Sequence, residues 1–316
     1  MYSKIQHVQS PIQPSIEDET APLQAVVLGT AESVGPAPAL EEVYDPSSRK
    51  HLLEGTYPTE EAMVAEMEGF AALLNSYEVQ VYRPEVLKDC NQIFARDIGF
   101  VVGQTFFRSN ILPLREEEFE ALESLVTHIP TKHYQMCPEE VHVEGGDVMP
   151  WGDHLFIGTY TKADYPNQIT ARTNQAAVDF LTEYFPEKEV KAFELRKSAT
   201  VPHENALHLD CCFQPVGKGK AILCPEGFLD PQDPEWIRSY FGPENIFEVS
   251  AAEMAGMHCN VFSISPEVVV SEKNFVRLNA WLMEQGFTVE AIKYSEISKQ
   301  GGLLRCSTLP LLRQAD

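Results

Sequence analysis

The chain has 316 residues, 44% of them hydrophobic and 22% charged, the composition of a soluble globular protein able to bury a sizeable core. Its formal net charge of -23 repels nucleic acid and anionic membranes and mildly favours a cationic small molecule, although acidity more often serves solubility. No apolar run of about 18 residues is present, and Met1 to Thr20 is polar and acidic rather than basic and then apolar. The cytoplasm is therefore the expected location, with no nucleic-acid or membrane partner.

In chain order, residues 1–20 read as a polar arm of limited order ahead of one continuous domain, 21–316. Gln24 to Gly29 is a short apolar run closed by glycine, which predicts a buried strand. Residues 35–57 are rich in proline, glutamate and serine and read mostly as loop, with room for a short turn of helix. Met63, Val64, Met67, Phe70, Leu73 and Leu74 recur at helical spacing and predict an amphipathic helix over 60–76. Val79 to Tyr82 then alternates as a strand and stops at Pro84. Further strands are predicted at 99–102, 154–157, 190–193, 207–213, 221–223, 246–249, 260–264, 268–270 and 288–292. Further helices are predicted at 116–126, 174–184 and 275–285, the last ended by Gly286. Neither a nucleotide-binding glycine motif nor a low-complexity linker occurs, so one α/β domain is expected.

Four stretches place polar residues at strands or their ends. Arg96-Asp97 stands at the entrance to an apolar strand. Glu144-Gly145-Gly146-Asp147 brackets two glycines with carboxylates, which suits close approach of backbone to a cationic ligand, although a hairpin turn is the commoner meaning. In Asn205-Ala206-Leu207-His208-Leu209-Asp210, a strand would put His208 and Asp210 on one face and Asn205 on the other. Gly301-Gly302-Leu303-Leu304-Arg305-Cys306 sets a thiol beside a cation and flexible backbone, where its pKa can fall and make it a nucleophile; a buried cysteine on a final strand is the plainer alternative. Seven cysteines without a CxxC pair argue against a disulfide framework or a zinc ribbon. Adjacent Cys211 and Cys212 on a strand would point apart, which disfavours a metal site with His208, Asp210 and Cys224. Neither metal nor cofactor is expected.

Taken in order, the four stretches resemble the motif series of the penteins, the arginine deiminase and amidinotransferase superfamily, from about residue 24 to the end. The ending is similar to that of short hydrolases related to dimethylarginine dimethylaminohydrolase and arginine dihydrolase. Glycine amidinotransferases are similar over the same span, including an asparagine before the histidine, here Asn205. The resemblance implies an α/β fold of five units around a pseudo-fivefold axis, a five-bladed propeller in a single domain; five repeats are not visible in the sequence. It implies that Cys306, as thiolate, attacks the central carbon of a guanidinium held by Asp97 and Asp210. Glu144 would orient and charge His208, which would protonate the departing amine and then activate water or an incoming amine. Asn205 and Arg96 join the implied substrate-binding set, and Arg115 stands where arginine deiminases carry an arginine for the substrate's α-carboxylate. Lys299-Gln300 departs from the deiminase pattern, which often has arginine there; Leu303 replaces a third glycine, and Arg305 stands where many members have histidine.

Water releasing the adduct would make the protein a hydrolase of arginine or an arginine derivative, giving citrulline or, after a second hydrolysis, ornithine. An acceptor amine in its place would make it an amidinotransferase. A third reading is a non-catalytic pentein acting by binding, as the ribosome anti-association factors do, but those lack the cysteine, histidine and paired carboxylates. Length and the terminal motif favour the hydrolase, with a small guanidino substrate as partner and a homo-oligomer left open.

Overall fold

A computed structural model describes residues 11–314. Within them the chain builds five three-stranded sheets of one pattern, a central strand antiparallel to one neighbour and parallel to the other. Strand β1 (Leu23–Leu28) pairs in parallel with β2 (Gln80–Tyr82). The next three sheets run β3 (Gly99–Val102), β4 (Thr105–Arg108), β5 (Tyr134–Met136); β6 (Val148–Trp151), β7 (His154–Thr159), β8 (Glu189–Glu194); and β9 (Phe213–Val216), β10 (Lys220–Leu223), β11 (Ile246–Glu248). The fifth is β12 (Phe262–Ser265), β13 (Val268–Glu272) and β14 (Thr288–Ile292). The last strand, β15 (Thr308–Arg313), returns to pair antiparallel with β1. The two ends of the chain thus complete one blade together and close the five-unit arrangement that the resemblance implied.

Each parallel pair needs a crossover. Helix α1 (Pro46–Leu53) and α2 (Glu60–Ser76) lie between β1 and β2. A 3-10 segment, Pro113–Leu122, runs into α3 (Glu123–Val126) in the second blade. Helices α4 (Gln175–Tyr184) and α5 (Gln232–Phe241) serve the third and fourth blades. Short α6 (Ala251–Ala255) precedes the fifth blade, α7 (Val276–Glu284) crosses within it, and α8 (Ser295–Ser298) follows it.

The longest helix, α2, forms where the sequence predicts. The Thr59 side chain accepts the Ala62 amide at 3.3 Å, and Glu60 and Glu61 sit favourably in the first turn. Its Met63, Met67, Phe70, Ala71 and Leu74 are buried. Phe70 meets Phe262 and Tyr294 edge-on, with ring centroids 6.0 and 5.6 Å apart, tying the first blade to the fifth.

Several expectations are corrected. Residues 11–20 are no loose arm: Ile12, Ile16, Glu19 and Thr20 are buried, and Ser15 bridges to Leu312. Residues 1–10 lie outside the described part. The stretch 207–213 is not one strand, because Leu209–Cys211 forms a 3-10 turn ahead of β9. His208 and Asp210 therefore do not share a strand face, and the strand geometry used for Cys211 and Cys212 does not apply. The helix expected at 116–126 is mostly 3-10, and the short helical turn expected within 35–57 is the eight-residue α1, capped by Asp45. No helix among the described residues is long and apolar enough to cross a membrane.

Candidate active site

The four polar stretches converge from different blades. Glu144-Gly145-Gly146-Asp147 forms a 3-10 turn leading into β6. Asp147 fastens this turn to the next motif, since its carboxylate accepts from the Leu209 amide at 2.8 Å and the Thr173 hydroxyl at 2.6 Å. Gly146 is required by space: a Cβ there would stand 2.7 Å from Cγ of the His208 ring. Gly301, with φ of 79°, turns the chain toward Cys306 in the left-handed region. Leu303 and Arg305 then accept amides from Ser307 and Thr308 at 3.1 and 3.0 Å, so Cys306 sits in a tight turn just before β15.

A cavity of about 920 Å³ opens over this junction, lined in part by Asp97, His208 and Cys306. His208 Nε2 lies 2.7 Å from Glu144 Oε2, and its Nδ1 lies 3.7 Å from Asp97 Oδ1. Arg172 donates to both Glu144 oxygens at 3.0 and 3.1 Å. Among the buried polar atoms without a hydrogen-bond partner are Asp97 Oδ1 and His208 Nδ1, and also Arg172 Nη2. Asp97 and His208 both line the cavity.

Cys306 has its own support. Asn260 donates from Nδ2 to the sulfur at 3.1 Å, while its Oδ1 accepts the Cys306 amide at 3.1 Å. Asp210 Oδ2 lies 3.6 Å from Sγ and accepts from Arg305 at 2.9 Å. Arg305, 0% exposed, also makes a two-pronged pair with Glu19 at 2.9 and 3.0 Å. The residue that replaces the usual histidine therefore faces away from the cavity and braces Asp210 from behind.

The charges follow from this packing. Burial opposes a charge on His208, but Asp97, the Glu144 hydrogen bond and Asp147 outweigh it and raise its pKa to about 9. Burial likewise opposes charge on Glu144, yet Arg172 and His208 hold it well below the usual carboxylate range. Burial first, then Asp210, Cys211 and Asp97, push the Cys306 thiol well above its ordinary value. Both shifts favour an imidazolium and a neutral thiol at neutral pH. Ligand-type atoms of Asp97, Glu144 and His208 lie within 4.8 Å of one another. Arg115 and Arg172 already occupy those carboxylates, so a divalent cation would have to displace them.

Of the five expected substrate contacts, Asp97 and Arg115 line the cavity, whereas Arg96, Asn205 and Asp210 do not. Arg115 commits its nitrogens to the protein: Nη1 to Asp97 at 2.7 Å, and Nε and Nη2 to Glu118 at 2.7 and 2.8 Å. The Arg96 guanidinium is buried against the Arg305 carbonyl, 3.4 Å away, and the Asn205 side chain accepts the Ser198 amide at 3.1 Å.

Residues 45–313 match the family described as N,N dimethylarginine dimethylhydrolase, eukaryotic. The chain belongs to that family. YkgA, an uncharacterized protein of Bacillus subtilis, is 29% identical over 223 residues, 70% of this chain and 70% of that protein. The arginine deiminase of Limosilactobacillus fermentum is 25% identical over 265 residues, 71% of this chain but 62% of the deiminase. Among solved structures, SxtG, an amidinotransferase from Microseira wollei, superposes with a TM-score of 0.74 at 19% identity, over 96% of this chain and 98% of that one. The N-terminal domain of ArgZ, a cyanobacterial arginine dihydrolase bound to product, gives 0.73 at 19% identity over 92% and 97%. These neighbours share the pentein fold, and SxtG, ArgZ and the deiminase are enzymes acting on guanidino groups.

Sequence reasoning missed Glu19, Glu118, Arg172 and Asn260, since each acquires its part only through a distant partner. Glu19 makes the sharpest test. Burial is outweighed by Arg305 and Arg96, which bring its pKa down to about 2. Glu19→Ala would leave Arg305 and Arg96 buried with Asp210 as their remaining neighbouring carboxylate, and Arg313 with Asp18. A loss of about 3–5 kcal/mol is expected in chemical denaturation.

Proposed function

We propose that the chain is a cysteine-dependent hydrolase of a guanidino compound, arginine or an arginine derivative, working through a covalent adduct on Cys306. The observation that carries this is the cavity shared by Cys306, His208 and Asp97, where Asp97 Oδ1 and His208 Nδ1 have no hydrogen-bond partner. A guanidinium is planar, permanently charged and a forked donor, matched to carboxylates. Asp97 accepts it, and Asp210 takes its other side over the sulfur. The arriving positive charge offsets the carboxylates that hold the thiol up, so the thiol releases its proton to solvent on binding.

The thiolate forms a bond to the guanidinium carbon. His208 gives its proton to one nitrogen, the C–N bond to that nitrogen breaks, and an S-linked adduct remains. The now neutral His208 takes a proton from water as the oxygen adds to the same carbon. Collapse expels the thiolate and leaves a ureido product, with His208 charged again. Asn260 holds the sulfur through both halves.

The family match favours water as the second nucleophile. The test is incubation with a panel of arginine, methylated arginines and agmatine, with and without acceptor amines. A ureido product and a released amine are expected without any acceptor. Turnover that requires an acceptor would make the protein an amidinotransferase instead.

A further inference from the structure

We infer that Asn260 is a positioning residue of the reaction, whose uncharged amide aims the Cys306 sulfur and stabilises it as thiolate without opposing a cationic substrate. This rests on the guanidino reading above and adds how the site readies its nucleophile. Asn260 is buried, and its amide bridges two turns. Nδ2 donates to the Cys306 sulfur at 3.1 Å and to the Asp210 carbonyl at 3.4 Å, while Oδ1 accepts the Cys306 amide at 3.1 Å. Elementary chemistry fixes which end of the amide faces the sulfur. The Cys306 N–H can only donate and the Asp210 carbonyl can only accept, so the first takes the amide oxygen and the second takes one N–H of the nitrogen. The other N–H is thereby held on the sulfur, whether the sulfur is protonated or charged.

The backbone that delivers Asn260 is bent sharply just ahead of β12. Met257 has φ of 66°, uncommon for a side chain of its size, and the Asn260 amide donates back to the Met257 carbonyl at 3.0 Å. Val261 donates to the Cys259 carbonyl at 2.9 Å, which makes Asn260 the central residue of a three-residue turn. Around the sulfur the other pressures run against charge. Burial comes first, then Asp210, Cys211 and Asp97, and Tyr294 is coupled to Cys306 as well. The nearby cations are committed elsewhere, Arg305 to Asp210 and His208 to Glu144. The Leu303 amide helps the thiolate from the backbone, and Asn260 is the one side chain among the described residues that donates to this sulfur. A lysine or arginine in its place would favour the thiolate more strongly, but would repel the guanidinium whose carbon the sulfur has to reach. A neutral donor avoids that conflict.

Two variants separate this from a packing role. Asn260→Ala removes both bonds to Cys306, whereas Asn260→Asp keeps nearly the same volume and an oxygen for the Cys306 amide, but sets a second carboxyl oxygen where the donor was. The first readout needs no guanidino compound: the rate at which iodoacetamide alkylates Cys306, followed by peptide mapping across a pH series, reports its thiolate. Both variants are expected to slow that alkylation about threefold or more near pH 8 and to reach the wild-type rate only at higher pH, since the rarer thiolate is partly offset by its greater nucleophilicity. On a guanidino compound that the wild type turns over, kcat/KM should fall about 10–100-fold, mostly in kcat. A side chain that only packed would leave the pH dependence of alkylation where it is. Alkylation within about twofold of the wild type at every pH, in whichever of the two variants folds, overturns the inference even if turnover falls. The alkylation shift in a protein that turns over no guanidino compound would sink the hydrolase reading and leave the hold of Asn260 on the thiol standing. Turnover of a guanidino compound by the wild type, with no shift in the variants, would do the reverse.

Discussion

Cys306→Ala is expected to lose at least roughly 10⁴-fold in kcat/KM, about 5 kcal/mol of transition-state stabilisation, with substrate still bound. Asp97, which receives the guanidinium at the cavity wall, makes no contact with the sulfur, so binding survives where bond formation does not. Fold stability should change little, because the variant removes one sulfur and leaves Asp210 paired to Arg305. Steady-state turnover beside equilibrium titration checks both halves. Undiminished turnover in the variant would remove the mechanism.

The second large effect concerns His208. His208→Ala should slow release of the adduct by about 10²–10⁴-fold, the usual worth of a positioned acid–base group, so that the adduct accumulates. The pH profile gives an independent reading with a definite sign. The reactive form needs the proton off Cys306 and on His208, yet in the free protein the thiol titrates above the imidazole, whose pKa is about 9. Below that value each rise in pH exposes more thiolate at constant imidazolium, so kcat/KM should climb. Near pH 9 the gain in thiolate is cancelled by loss of imidazolium, and the profile should level. In His208→Ala the residual rate should keep rising through that point. The same charge is linked to folding: raised above its unfolded value, it stabilises fully below about pH 6.5 and is lost as pH rises through about 9.

Much of this site was legible because its residues stand in local motifs. Glu144-Gly145-Gly146-Asp147 and the Cys306 turn are short stretches whose glycines solve local problems, room for the His208 ring and a left-handed turn beside Asp45. The α2 helix was legible for a similar reason, its apolar stripe being written at one period. The blade pattern was not, since most of its strands are only three to five residues long and the first blade is completed by β15 from the far end of the chain. His208 and Asp210 illustrate a local reading that failed: a 3-10 turn, fixed by Asp147 from another blade, sends one toward Glu144 and the other toward Arg305. Arg115 is a different case. Its type was right for a carboxylate, but the carboxylates it meets are the protein's own Asp97 and Glu118. Glu19, in a stretch read as a loose arm, is 4% exposed because Arg305 fixes it there.

The most direct test of the account is the intact-protein mass after rapid acid quench during turnover of a guanidino substrate. The wild type should show one added mass, the substrate less the departing amine, located by peptide mapping to Cys306 and absent in Cys306→Ala; His208→Ala should show it persisting. Turnover with no such adduct at any quench time, or an adduct mapped to another cysteine, would contradict it.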